Sequence, residues 1–298
     1  MSGSLEYREF KVLEALEAAE GRVLTQREIA QEVKASVGTV NKTLTDLVER
    51  GYVSEGALTG KGRVALEPYR VKRAVFVAAG FGSRLVPITL NTPKPLVRVH
   101  GQRIIDLLLD AVVAAGIEEI YIVRGYYGEQ FDQLLYKYPT VKFLENPMYN
   151  EANNISSLMV AKYLLSNAYV IESDLLLSNP KLISKYQYHS NYLGIPMERS
   201  DDWCFKVKKD VITDIMVGGE DCWQMVGISY WSEEDGRKLV DDIPATFNMP
   251  GGKERYWDEV PLRYFSQHYQ VHVRECSSDD IVEIDTFKEL QALDSVYA

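Results

Sequence analysis

The chain reads as an α/β protein: a mostly parallel mixed sheet with helices on both faces, preceded by a small helical domain. Two observations predict this. From residue 73 onward, short apolar runs of strand length alternate with amphipathic stretches of helix length. Before residue 67 the apolar residues recur only at helical spacing, until a short stretch that reads as a hairpin. The expected organisation is a domain over 1–67, a linker over 68–72 and a larger domain over 73–298. A length of 298 residues suits two domains.

In the first domain, Phe10, Leu13 and Leu16 mark one face of a helix over residues 5–19. Thr25, with Glu28 three residues later, forms a capping box that opens a second helix. A third helix starts at Ser36, runs through Val40, Leu44 and Leu47, and stops at Gly51. Tyr52 to Leu66 carries several glycines and predicts a hairpin, with Lys61 and Arg63 on it.

In the second domain, Ala74-Val75-Phe76-Val77-Ala78 is a buried strand. A helix over 103–115 follows, then strands over 119–123, 141–144 and 169–172, with helices over 129–136 and 154–165 between them. Short strands are expected over 192–231. Helices near 233–240 and 256–266, a strand over 270–275 and a last helix from Thr286 complete the chain. In such a sheet, ligands gather outside the carboxyl ends of the strands. The loop after residue 78 and the residues after Glu172 are therefore the places to look.

Composition narrows the function. Hydrophobic residues make up 46% and charged residues 26%, an ordinary globular balance. No apolar run approaches the roughly 18 residues of a membrane span, and Glu6, Arg8 and Glu9 interrupt any signal-peptide core, so a cytoplasmic protein with no membrane partner is expected. A net charge of −10 excludes nucleic-acid binding through overall charge; any DNA contact must be local. Cys204, Cys222 and Cys276 form neither a disulfide framework nor a zinc-type pair.

The loop after the first strand reads Ala78-Ala79-Gly80-Phe81-Gly82-Ser83-Arg84-Leu85-Val86-Pro87, followed by Thr89 and Pro93-Lys94-Pro95. Two glycines permit a tight path and close backbone approach to a ligand. Backbone amides and a hydroxyl suit phosphate oxygens, and Arg84 and Lys94 add positive charge. A dinucleotide fingerprint needs a third glycine or alanine where Leu85 stands, and the Gly-Lys-Ser/Thr of a Walker loop is absent.

On Ala78, Ala79, Gly80, Gly82, Ser83, Arg84, Leu85, Pro87, Thr89, Pro93 and Lys94, the chain resembles the nucleotidyltransferases that activate sugar phosphates and related phosphomonoesters. Within them it resembles most the bacterial CTP:phosphocholine cytidylyltransferases, from Arg73 nearly to the C-terminus. Further pieces that carry the resemblance include Gly125-Tyr126, Asn153-Asn154 with Ser156, Glu172-Ser173-Asp174, Trp203, Tyr230-Trp231, Tyr256-Trp257-Asp258 and Glu283-Ile284-Asp285. The resemblance implies a nucleotide-diphospho-sugar-transferase-like fold and transfer of CMP from CTP to phosphocholine.

It implies catalytic roles for Lys94, Arg84 and Asp174, and nucleotide contacts from Ala79, Gly80, Gly82, Ser83, Tyr126, Asn154 and Ser156. It implies that Asp174 binds Mg²⁺ with Glu283 or Asp285, of which Asp285 is preferred. Glu172 stands where relatives often carry Asp. A quaternary ammonium offers no N–H and is held by aromatic faces and carboxylates. Trp203, Tyr230, Tyr256, Trp257 and Asp258 are the expected acceptor contacts, with Asp258 alternatively a metal ligand. Rival readings are a sugar-1-phosphate or aminoalkylphosphonate nucleotidyltransferase, and a transcription regulator that senses a nucleotide.

Residues 1–67 resemble a winged helix-turn-helix domain, in which Ser36 and Asn41 would lie on the recognition helix and Lys61 and Arg63 on the wing. Nine Lys/Arg against eleven Asp/Glu give this domain a net charge of −2. DNA contact would therefore rest on local cations such as Lys34, Lys42, Arg70, Lys72 and Arg73.

Overall fold

The computed structural model describes residues 4–19 and 21–298. It divides into two units, Met1–Arg70 with Tyr186–Tyr188, and Val71–Lys185 with His189–Ala298.

In the first unit, α1 (Tyr7–Ala18), α2 (Gln26–Glu32) and α3 (Val37–Glu49) pack around Leu13, Ile29, Val40 and Leu47. The Thr25 hydroxyl accepts from Glu28 N, and the Glu28 carboxylate accepts from Thr25 N, so both free amides are satisfied. Ser36 caps α3 by accepting from Thr39 N.

The hairpin is shorter than the glycines suggest. It consists of β1 (Val53–Ser54) and β2 (Ala57–Leu58) alone. Thr59 then accepts from Gly62 N and starts α4 (Gly60–Leu66), which places Lys61 and Arg63 on a helix rather than on a wing. The expected linker is ordered as well: Tyr69 packs on the first unit's core and Val71 on the second's.

The first strand of the second unit is β3 (Arg73–Ala78), an interior strand of its sheet. After the loop come β4 (Arg98–Val99), β5 (Gln102–Arg103) and α5 (Ile104–Ala114). Next are β6 (Glu119–Arg124), β7 (Val141–Glu145), α6 (Ile155–Ala161), β8 (Ala168–Glu172) and β9 (Leu175–Leu177). Residues 128–136 form a 3₁₀ rather than an α-helix.

The expected short strands are instead two long ones, β10 (Asn191–Lys208) and β11 (Val211–Trp231), paired antiparallel as a ribbon with several register shifts. α7 (Glu233–Asn248), β12 (His272–Glu275), β13 (Ile281–Glu283) and α8 (Phe287–Leu293) complete the unit. A single π-turn at Val260–Tyr264 replaces most of the helix expected over 256–266.

The seven-stranded order is β10-β12-β11-β8-β3-β6-β7, and β8, β3, β6 and β7 run parallel. Alternate residues of β3 point to opposite faces. Ala74, Phe76 and Ala78 pack with Ile105, Leu108 and Leu109 of α5. Val75 packs with Ile155 and Leu158 of α6 and Leu239 of α7. The sheet is thus covered on both sides, and its strands β3 and β8 end at one cavity.

Candidate functional site

A cavity of about 610 Å³ opens where these strands end, lined among others by Ala79, Gly80, Gly82, Ser83, Arg84 and Lys94. Gly82 takes a left-handed backbone, φ 66°. A Cβ there would lie 3.0 Å from Lys94 Cβ, so glycine lets the loop close onto the lysine. Thr89 Oγ1 donates to Gly82 O at 2.9 Å, and Tyr126 OH donates to Thr89 O at 2.9 Å. Tyr126 N donates to Ala79 O. Tyr126 does not itself line the cavity; it braces the loop from behind.

Lys94 is buried, and its Nζ donates to Asp174 Oδ2 at 2.8 Å and Asp285 Oδ1 at 3.3 Å. Burial works against its charge, but Asp174, Asp285 and Glu283 outweigh burial and raise its pKa. Arg84 Nη2 donates to Asp285 Oδ1 at 2.6 Å. The end of β8 supplies Glu172 and, one turn on, Asp174, while β13 delivers Glu283 beside Leu175 through its pairing with β9. Asp285 is spared from helix capping because Thr286 caps α8.

The cavity is strongly acidic. Glu172, Asp174, Glu283 and Asp285 are joined by Asp202, Asp258 and Glu259, against Arg84 and Lys94. Burial raises Glu172 well above the usual carboxylate range, with Asp258 and Asp174 adding to it. Burial and Asp174 lift Glu283 to about 9, and burial lifts Asp258 to about 7. Such values mark an excess of negative charge in a confined space, which a bound cation would relieve.

Glu172, Asp174 and Glu283 each offer an oxygen, all within 4.8 Å of one another, and Asp174 Oδ1 is buried with no hydrogen-bond partner. This oxygen-only donor set suits a hard divalent cation. Asp285, the ligand preferred from sequence, is not in that group; it is engaged by Arg84 and Lys94.

Trp203 and Tyr256 also line the cavity and meet edge to face with centroids 5.7 Å apart. Asp258 lies beside them, Oδ1 accepting from Tyr192 OH at 2.6 Å and Oδ2 unpartnered. Asn154 connects the two regions: its Nδ2 donates to Glu172 Oε1 at 3.3 Å, and its Oδ1 accepts from Trp257 N at 2.9 Å. Ser156 lines the cavity and accepts from Asn146 Nδ2 at 2.9 Å.

Two expected acceptor residues are elsewhere. Tyr230 is buried in the core, its hydroxyl on Asn167 Oδ1, because the end of β11 lies inside the sheet and is covered on both faces. Trp257 is buried against Trp231 and Tyr192; only its backbone reaches Asn154. Sequence reasoning missed Asn146, Tyr149 and Glu259 as lining residues. Asn146 directly follows β7, so the strand-end rule could have found it.

A parallel sheet that lifts a glycine turn, two cations and a metal-suited acidic group to one cavity defines a class of enzyme that handles nucleotide phosphates. Residues 73–191 match the model of the nucleotidyl transferase family, and residues 4–63 match that of the MarR family. The chain belongs to the nucleotidyltransferase family.

It is 34% identical over 228 residues to the 2-aminoethylphosphonate cytidylyltransferase of Lancefieldella rimae, covering 75% of this chain and 92% of that one. It is 31% identical over 226 residues to the choline-phosphate cytidylyltransferase of Streptococcus pneumoniae, covering 75% and 97%. A solved structure of the CTP:phosphocholine cytidylyltransferase from Streptococcus pneumoniae superposes with a TM-score of 0.70 at 31% identity, over 77% of this chain and all of that one. Among the described residues, no helix is long and apolar enough to cross a membrane.

Proposed function

We propose that the protein is a cytoplasmic, Mg²⁺-dependent cytidylyltransferase that transfers CMP from CTP to phosphocholine, giving CDP-choline and pyrophosphate. The observation that carries this reading is the buried Lys94 ammonium, held between Asp174 and Asp285 at the mouth of the glycine turn.

The chemistry needs no protein base. A phosphate monoester has a second pKa near 6, so about nine-tenths of it is dianion at pH 7. One acceptor oxygen forms a bond to the α-phosphorus of CTP; the bond from that phosphorus to the β-phosphate bridging oxygen breaks, and pyrophosphate leaves with its electron pair. The obstacle is repulsion between two anions. Lys94 holds the α-phosphate and the acceptor phosphate together, and its raised pKa keeps it charged. Arg84 and the backbone amides of residues 80–83 hold the leaving pyrophosphate. Glu172, Asp174 and Glu283 would hold Mg²⁺, which when bound supplies charge neutralisation on the triphosphate oxygens.

Trp203 and Tyr256 present aromatic faces to a quaternary ammonium, with Asp202 and Asp258 supplying negative charge. A second reading, an aminoalkylphosphonate acceptor, is favoured by the unpartnered Asp258 Oδ2, which can accept from a primary ammonium. The test is pyrophosphate release from CTP and Mg²⁺ with phosphocholine, 2-aminoethylphosphonate or a sugar 1-phosphate. Phosphocholine is expected to turn over fastest. Faster turnover of the phosphonate establishes the second reading, and faster turnover of the sugar phosphate overturns both.

We also propose that residues 1–67 contact DNA through α3, whose Asn41, Lys42 and Thr45 are exposed. The match to the MarR family supports this. A mobility shift by the full chain that weakens with salt, and weakens further in Lys42→Glu, is expected. No shift on promoter fragments at low salt overturns it.

A further inference from the structure

All three cysteines are buried free thiols in the second unit, but only two are neighbours. Cys276 donates to Gly194 O. Cys204 and Cys222 have their sulfurs 3.0 Å apart: Cys222 donates its S–H to Cys204 Sγ, and Cys204 donates onward to Asp202 O at 3.5 Å.

The two come from β10 and β11. Cys204 pairs with Gln224, and Cys222 is two residues along the same strand, so the thiols are diagonal neighbours on one face of the ribbon. The sulfurs of a disulfide lie about 2.04 Å apart, so closure asks for a movement of about 1 Å. The ribbon is irregular here, with successive register shifts from Ser200 to Val207, and can take up such a movement more readily than a regular ladder. The relay ends on the carbonyl of Asp202, and Asp202 and Trp203 both line the cavity.

We propose that Cys204 and Cys222 are a covalent modification site, a dithiol that a peroxide closes reversibly to a disulfide, and that closure alters the cavity wall at Asp202 and Trp203. Cys222 follows the exposed Glu220 and Asp221 and is the first to react. Its thiolate attacks one oxygen of hydrogen peroxide, the O–O bond breaks, a sulfenic acid forms, and the departing hydroxide takes up the proton the thiol gave up and leaves as water. Cys204 sulfur then displaces the sulfenic hydroxyl, which leaves as a second water.

Two thiols and one peroxide become one disulfide and two waters; the sulfurs are oxidised and the peroxide reduced. Burial pushes the Cys204 thiol up to about 11, helped by its hydrogen bond with Cys222, which makes it a poor first nucleophile. Closure removes the S–H that Asp202 O accepts, so the covalent change is felt at the cavity.

The test uses the full chain, treated with excess hydrogen peroxide at mildly alkaline pH, then denatured, alkylated and weighed. The expected product is lighter by about 2 Da before alkylation, carries one alkylated thiol at Cys276 and yields a linked Cys204/Cys222 peptide. Dithiothreitol should restore three alkylated thiols.

The effect on turnover rests on the cytidylyltransferase reading, while the mass change does not, so the two can fail separately. The oxidised protein should show its acceptor KM shifted about fivefold or more, reversed by dithiothreitol and absent in Cys222→Ser. Three alkylated thiols after oxidation, a link through Cys276, or a Cys204/Cys222 link with unchanged acceptor KM would each overturn the proposal.

Discussion

Lys94 Nζ lies 2.8 Å from Asp174 Oδ2, although one residue comes from the long loop after β3 and the other from just beyond β8. The pair joins the glycine loop to the acidic group. Charges so close and so little exposed interact strongly, and neither can be removed quietly. Lys94→Ala should lower kcat by about 100-fold or more, the usual cost of losing a donor aimed at the transition state. The measurement is pyrophosphate release at saturating CTP and acceptor. Added Mg²⁺ should also raise the thermal midpoint of this variant more than that of the parent, because Asp174 and Asp285 are left without their ammonium. Turnover equal to the parent's would remove Lys94 from the chemistry.

Glu283 and Asp285, two residues that the sequence places on one side of an extended segment, make different contacts. Glu283 has an oxygen within 4.8 Å of both Glu172 and Asp174, whereas Asp285 accepts from Arg84 and Lys94. Glu283→Gln should raise the Mg²⁺ concentration for half-maximal rate by about tenfold or more. Asp285→Asn should leave the metal requirement nearly unchanged and alter KM for CTP, since it frees the two cations that meet the triphosphate. Titrations of Mg²⁺ and of CTP separate these outcomes. The reverse pattern would return Asp285 to the metal.

How far the sequence could be read follows from what each residue depends on. That Gly82, Arg84 and Lys94 share one cavity was legible because they sit in one short loop after a parallel strand, where ligand cavities open. The parallel core of the sheet was legible from the alternation of strand and helix along the chain. Glu259 was not singled out, since its place in the cavity depends on elements distant in sequence, whereas Asn146 sits at a strand end and was overlooked. Tyr230 and Trp257 were misplaced because an aromatic residue in a strand or turn reads the same whether it faces a ligand or the core. The wing was misread because Gly60 and Gly62 suggest a turn, while the deciding feature is the Thr59 cap that turns the same residues into a helix.

Gly62 gives that last point a test. A Cβ at this position would lie 2.3 Å from Tyr52 O and 2.8 Å from Leu58 Cδ1. Alanine normally favours a helix, but here backbone must move. Gly62→Ala should therefore destabilise the first unit, by about 1–3 kcal/mol or more for overpacking of this kind. Amide hydrogen exchange over residues 40–66 should quicken in the variant. Unchanged or slower exchange would mean that Gly62 does not approach Tyr52 as described.

A stacked pair of histidines makes acid stability predictable in sign. The rings of His189 and His272 lie 4.3 Å apart at 13°. Burial, then the neighbouring His272, pushes His189 from 6.5 down to about 4. Burial also lowers His272, opposed by Asp210. For His189 the unfolded chain binds a proton before the folded one does. Its contribution is therefore neutral above pH 6.5, and stability is lost as pH falls from about 6.5 towards 4, where the folded form also titrates. Other groups titrate in the same window, so the comparison is with His189→Asn. Urea midpoints measured from pH 7 to 4 should fall more steeply for the parent than for the variant, and the two should run parallel above pH 7. A parent curve no steeper than the variant's would show that His189 takes up its proton as readily folded as unfolded.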